Sequence, residues 1–169
     1  MRIGVGYDIH RFQEGRTLVL GGVPFAGERG LAGHSDADVL LHAVIDALLG
    51  AAGLGDIGVH FPPGDPQWAG VSSLRLLGET VRMVAGAGFA IENVDTTVIA
   101  ERPRLAERLP EMRETIARAL GIAAERVNVK ATTNEGLGAI GRGEGIAAMA
   151  VALLEGKGQT RPRNVGANL

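Results

Sequence analysis

Residues 2–10 alternate so regularly that an extended strand is the natural reading: Ile3, Val5, Tyr7 and Ile9 fall on one face, and Gly4, Gly6, Asp8 and His10 on the other. One face is apolar, and the other carries two glycines followed by two potential ligands. Gly4 and Gly6 are expected to keep the second face open, so that Asp8 and His10 present two donors to one ion. A satisfied polar pair at a strand end is the competing reading of the same residues.

Further along, Thr17–Leu20 followed by Gly21-Gly22 reads as a hairpin partner of this strand. Ser35 with Asp38 three residues later resembles a capping box, and Val39 to Ala52 follows at helical spacing. Residues 53–70 read as a long loop, 71–85 as an amphipathic helix, and 89–100 as a strand rich in β-branched residues. Glu111–Leu120 is a helix stopped by Gly121, Val127–Ala131 a strand, and Thr132–Gly145 a Gly-rich loop. Ile146–Leu154 is an Ala-rich apolar run whose pattern fits helix or strand. The chain reads as a single domain over residues 1–156, with a polar tail, 157–169, expected to be frayed.

Composition narrows the chemistry. No Cys occurs among the 169 residues, so a metal must be held by His, Asp, Glu or backbone oxygen. The net charge of −2 gives no reason to expect nucleic acid or an anionic membrane as a partner. No signal peptide or membrane-length apolar run is visible, and a cytoplasmic protein is expected.

Asp38, His42 and Asp46 recur every fourth residue and share one helical face, which is either a solvated stripe or a functional one. Val39, Leu40, Val44 and Leu48 are apolar, which turns His42 away from the core. Beside Asp8 and His10 it would complete a two-His, one-carboxylate set with an open position, as in catalytic zinc sites. Asp46, one turn on, could accept the other imidazole N–H. Asp56 and Asp65, in Gly/Pro-rich stretches that also serve as turn punctuation, suit the hydroxyls of a polyol. Lys130 to Glu135 ends a strand in Thr132 and Thr133 and opens the Gly-rich loop. That is either a phosphate cradle with Glu135 near a harder cation, or an ordinary connection.

Together the stretches MRIGVGYDIHRF, GLAGHSDADVLLHAVIDALLGAAGLGDIGVHFPP, NVDTTVIAERPR and VNVKATTNEGLGAIGRGEGIAAMAVALL resemble the 2-C-methyl-D-erythritol 2,4-cyclodiphosphate synthase family, in family order, to about residue 155. The resemblance implies an α+β fold: a mixed four-stranded sheet with helices on one face, sheets packed together in a homotrimer, and active sites between subunits. It implies a phosphorus–oxygen lyase of the non-mevalonate isoprenoid pathway. That enzyme cyclises 4-diphosphocytidyl-2-C-methyl-D-erythritol 2-phosphate and releases CMP.

By the same resemblance Zn²⁺ sits on Asp8, His10 and His42, and Mg²⁺ or Mn²⁺ on Glu135 beside the diphosphate. His34 and Thr133 stabilise developing charge, and Ser35 holds a substrate phosphate. Asp56, Ile57 and Gly58 hold the erythritol moiety, with the loop of Phe61, Pro62, Pro63, Gly64 and Asp65. The cytidine pocket is built from Ala100, Glu101, Arg102, Pro103, Arg104, Leu105 and Ala106 with Thr132 and Asn134. The resemblance also favours strand for Ile146–Leu154.

Two departures stand out. Arg104 replaces a common Lys, keeping the charge with a different hydrogen-bond geometry. Ala139 replaces a common Phe near the central cavity, widening it, while Arg142 and Glu144 match. A different zinc-dependent phosphoesterase and a nonenzymatic nucleotide-binding trimer are the alternatives, separable by the product formed.

Overall fold

The glycine pair in the first strand determines how the main helix sits. In the computed structural model, which describes residues 1–157, β1 (Arg2–Leu20) lies against α1 (Val39–Ala52). A Cβ built on Gly4 would stand 2.1 Å from the Ala47 carbonyl oxygen, and one on Gly6 1.9 Å from that of Ala43. The glycines therefore do not leave a face open, as expected from the sequence; the helix backbone fills it. Only hydrogen fits at these two positions, and Ala43, Ala47 and Ala51 continue the small-residue seam on the helix side.

Five strands, not four, form one mixed sheet in the order β2-β1-β5-β3-β4. Residues 17–20 continue β1 rather than pairing with residues 2–10, and the second arm of the hairpin is β2 (Val23–Leu31). Gly21 and Gly22, with φ of 60° and 76°, make the two-residue turn that pairs Leu20 with Val23. The segment VPFAGERGL hides its strand because Pro24, Gly27 and Gly30 dilute the apolar alternation, yet Val23, Phe25 and Leu31 are buried. At the sheet centre β5 (Gly145–Gly156) runs antiparallel to β1 and to β3 (Phe89–Ile99), so the Ala-rich run is strand. β3 and β4 (Val127–Thr132) pair in parallel, which needs the crossover that carries α4 (Leu109–Leu120). Gly121, in the left-handed region, ends α4 as expected.

The helix of residues 71–85 is α3 (Ser73–Gly86), capped by Ser72. The stretch 53–70 is not a plain loop. It contains α2 (Ile57–His60) and a 3-10 turn at Pro66–Trp68, each begun by an aspartate that accepts a backbone N–H, Asp56 from Val59 and Asp65 from Gln67. Likewise the Gly-rich loop holds the short α5 (Gly138–Gly141). The expected frayed tail lies, beyond Lys157, outside the described residues. Among the described residues no helix is long and apolar enough to cross a membrane.

Ser35 is not the cap of α1. Asp38 is, and its carboxylate accepts from Leu41 N and also from Gly21 N and Gly22 N in the β1–β2 turn. Three backbone donors from two elements need an acceptor with two oxygens, which a serine lacks. Burial still pushes the Asp38 carboxyl up to about 6, against the pull of those N–H groups. Asp38→Ala orphans all three donors and is expected to cost about 3–5 kcal/mol, lowering Tm by on the order of 10 °C. A melt within 2 °C of wild type, roughly the shift expected for under 1 kcal/mol, would show that the turn and helix do not depend on this cap.

α1 is buried on almost every side, including Val39, Val44 and Leu48 and also Asp38 and His42. The opposite face of the sheet is bare: Ile3 is 71% exposed, Val5 65% and Tyr7 54%, with Ile9, Met149 and Val151 beside them.

Candidate metal centre and active site

Asp8 and His10 lie just beyond Gly6 on β1, and His42 precedes Ala43 on α1. Because strand and helix backbones touch at Gly6, the next side chains on each meet. Asp8 Oδ2 lies 2.9 Å from both His10 Nε2 and His42 Nδ1, and the two nitrogens are 3.1 Å apart. This triangle is slightly tighter than the ~3.3 Å edge of a tetrahedral site with ligands at ~2.0 Å, so a small outward movement admits a cation. These three residues are the group of metal-capable side chains found among the described residues.

The electrostatics suit a cation. Burial works to raise the Asp8 carboxyl, but hydrogen bonds from His10 and His42 outweigh it and hold it well below the usual carboxylate range. His10 is pushed up: burial opposes its charge, and the hydrogen bond and charge of Asp8 prevail. Asp8 is thus the anionic corner at neutral pH, and two nitrogens with one carboxylate oxygen are the donor set of a catalytic zinc site.

His42 does not face away from the core, and Asp46 does not orient it. Asp46 Oδ1 accepts instead from Ile57 N at 2.8 Å and ties α2 to α1. The second imidazole nitrogen of His42, Nε2, lies 2.9 Å from Ser73 Oγ and 3.1 Å from Ser35 Oγ. Sequence reading missed Ser73, although Ser72-Ser73 before a helix signals a cap rather than a ligand partner. It also missed Arg16, whose guanidinium donates to the carbonyls of Gly33 and Ser35 and so brackets His34.

A pocket of about 260 Å³ opens over the trio and is lined by His34, Ser35, Ile57, Gly58, Phe61 and Pro63. Trp68 and Leu76 complete it, neither anticipated; Phe61 and Trp68 meet edge to face at 5.1 Å. His34 donates to the Asp65 carbonyl at 3.2 Å. Both carboxylate oxygens of Asp65 are engaged by Gln67, whereas Asp56 uses one oxygen for its cap. Pro62 and Gly64 lie on the same loop, exposed.

The remaining expected residues gather at a second place. Residues 100–106 and 132–135 leave the paired ends of β3 and β4, joined by Ala100 N donating to the Thr132 carbonyl at 3.0 Å. Glu101 Oε1 accepts from Asn134 N at 2.8 Å and so crosses between the two loops. Thr133 Oγ1 donates to Glu135 Oε1 at 3.0 Å, and Glu135 is held at φ 51°, a left-handed conformation that a non-glycine residue adopts at a cost of about 1 kcal/mol. Arg102, Pro103 and Arg104 share a cleft with Phe25 and Arg108, while Leu105 is buried. Ala139 lies on α5, and Arg142 just after it pairs with Glu144 at 2.7 Å. None of these residues lines the pocket over the trio.

A five-stranded α+β sheet with a two-histidine, one-aspartate centre under a half-open pocket defines a small metal-site protein of the enzyme kind. The chain belongs to the YgbB family, whose model matches residues 1–155. It is 60% identical over 157 residues to a 2-C-methyl-D-erythritol 2,4-cyclodiphosphate synthase of Geotalea uraniireducens, covering 93% of this chain and all of that protein. It is 64% identical over 152 residues to a bifunctional enzyme IspD/IspF of Anaeromyxobacter, covering 90% of this chain and 39% of that one. Among solved structures, the Plasmodium falciparum IspF CDP complex superposes with a TM-score of 0.80 at 35% identity, over 92% of this chain and 96% of that one.

Proposed function

We propose that this chain is a cyclodiphosphate synthase of the non-mevalonate isoprenoid pathway. It converts 4-diphosphocytidyl-2-C-methyl-D-erythritol 2-phosphate into 2-C-methyl-D-erythritol 2,4-cyclodiphosphate and CMP. The observation that carries the reading is the triangle of Asp8, His10 and His42 under a pocket lined by His34 and Ser35, in a chain of this family. The naming of its relatives, and CDP bound in a related structure, supply the substrate class.

The reaction is an attack of a 2-phosphate oxygen on the β-phosphorus, with the CMP oxygen leaving. It demands an in-line geometry and neutralised charge more than a strong base. Zn²⁺ on Asp8, His10 and His42, and Mg²⁺ or Mn²⁺ on Glu135, would neutralise the charge of the two phosphates when bound. Ser35 Oγ accepts from Ala37 N and lies near His42 Nε2, so its own proton is the one to offer a substrate phosphate. His34, on the pocket rim, and the Thr133 hydroxyl, once turned from Glu135, would donate to oxygens on which charge develops. The free oxygen of Asp56 and the backbone of Ile57, Gly58 and the Phe61–Asp65 loop hold the erythritol hydroxyls.

Residues 100–106 with Thr132 form the cytidine pocket. Since they do not line the pocket over the trio, a neighbouring chain completes the site in a homotrimer. The bare apolar sheet face, an unusual surface for a monomer, supports that assembly. Residues 1–156 then act as one catalytic unit.

Incubating the purified protein with the cytidylylated 2-phosphate and Mg²⁺ is expected to release CMP and a cyclic diphosphate in equal amounts, from a species with the mass of three chains. Release of inorganic phosphate instead would identify a hydrolase. No CMP above background would end the synthase reading.

A further inference from the structure

Three consecutive carbonyls in the loop before α1, those of Gly33, His34 and Ser35, lie outside helix and strand and must find donors elsewhere. The His34 carbonyl accepts from Gly70 N at 2.8 Å. One side chain serves the other two: Arg16 Nη1 donates to the Gly33 carbonyl at 2.5 Å, and Nη2 to that of Ser35. The two arms of a single guanidinium thus close on the peptide groups that flank the His34–Ser35 pair, and both of these residues line the pocket over the trio. We propose that Arg16 is a positioning residue that fixes the backbone around His34 and Ser35 and so aims both side chains at the phosphate of the bound substrate.

The local fold delivers the arm. Glu14, Gly15 and Arg16 bulge from β1: no residue of β2 opposes them between the pairs Gln13–Gly30 and Thr17–Arg29. Gly15, at φ 76°, turns the chain outward, and such bulges re-aim a side chain. A Cβ built on Gly30 would stand 2.5 Å from the Arg16 carbonyl oxygen, so β2 packs directly on the bulge and anchors it. The receiving loop needs holding as well. Ala37, two residues past Ser35, is buried at φ 60°, a left-handed conformation that a residue with a Cβ keeps only where its surroundings enforce it. Arg16 does not line the pocket, so it acts through His34 and Ser35 and does not touch substrate. The geometry calls for a guanidinium. Its rigid planar fork spans two carbonyls, whereas an ammonium is a point donor on a flexible stem.

The effect on turnover rests on the synthase reading given above, whereas the hold on the loop does not, and two measurements separate them. Amide hydrogen exchange reads the loop without any substrate. Asp36 N donates to the Val71 carbonyl at 3.0 Å and, with Gly70 N, stitches residues 34–36 to residues 70–71. Arg16→Ala leaves the Asp38 cap and its bonds to Gly21 and Gly22 in place, so a folded chain is expected. Exchange of the Asp36 and Gly70 amides is expected to rise by about 10-fold or more, while the amides of β5 exchange as in wild type. Unchanged exchange at Asp36 and Gly70 would overturn the clamp. An equal rise throughout β5 would do so too, since Arg16 would then be a general stabiliser.

Kinetics of CMP release read the aim of the two side chains. Arg16→Ala is expected to lower kcat on the order of 10²-fold with a smaller rise in KM, because a misplaced His34 fails the transition state more than the bound substrate. Methylguanidinium added to Arg16→Ala is expected to restore part of the lost rate, and methylammonium none. Arg16→Lys, which keeps the charge without the fork, is expected to stay close to Arg16→Ala in both rate and exchange. Wild-type turnover and exchange in Arg16→Lys would overturn the fork, since charge alone would then suffice. A rise in KM with kcat unchanged would overturn the aiming of His34. If wild type itself releases no CMP, the synthase reading falls, and exchange raised only at Asp36 and Gly70 in Arg16→Ala still supports the hold on the loop.

Discussion

Replacing His42 by alanine is expected to remove zinc from about one ion per chain to background while the chain stays folded. Two donors, Asp8 and His10, remain, and two protein ligands do not make a catalytic zinc site. If the ion neutralises phosphate charge as proposed, the loss is several kcal/mol of transition-state stabilisation, and CMP release falls on the order of 10³-fold. The helix is expected to persist because the alanine seam and the buried leucines that hold it are untouched. Elemental analysis beside a thermal melt checks both halves of the statement. Stoichiometric zinc in the folded variant would place the metal elsewhere.

The second large effect is structural. Gly6→Ala puts a methyl where the Ala43 carbonyl oxygen already lies, 1.9 Å from the ideal Cβ position and 2.8 Å from Ala47 N. Those are backbone atoms of a helix buried on almost every side and cannot rotate aside, so β1 and α1 must separate. The cost is expected at the upper end of overpacking, about 3 kcal/mol, with Tm lower by on the order of 10 °C. The separation also spreads the ligand triangle, so zinc affinity should fall in the fraction that remains folded. A variant that melts with wild type and binds zinc equally would show that the seam yields more easily than its geometry states.

How much of this was legible in the sequence depended on the range of the interaction. The alternation in residues 2–10 and the spacing from Val39 to Ala52 are local, and each gave its element with correct bounds at one end at least. The pairing that makes β2 a strand is not local to VPFAGERGL; it comes from the turn at Gly21-Gly22 and from β1. The cap of α1 was assigned to Ser35 because a capping box is a local pattern, whereas Asp38 is selected by two N–H groups from residues 21 and 22. The same holds at the site. Asp8, His10 and His42 could be listed from residue type and spacing, and the structure brings their donor atoms together. The partner of His42 Nε2 could not, since Ser73 lies thirty-one residues away across a loop. Asp46 was the plausible local substitute, but it serves the backbone of Ile57.

The contact of glycine strand against alanine helix has one more consequence, for ion choice. Where Gly4 and Gly6 of β1 meet Ala43, Ala47 and Ala51 of α1 there are no long side chains to adjust. A donor set mounted on such a seam has little conformational entropy to lose when it closes on an ion, and little freedom to follow an ion of another size. On the zinc reading proposed above, such a frame would suit a tetrahedral ion with short bonds to nitrogen better than a larger oxygen-seeking one.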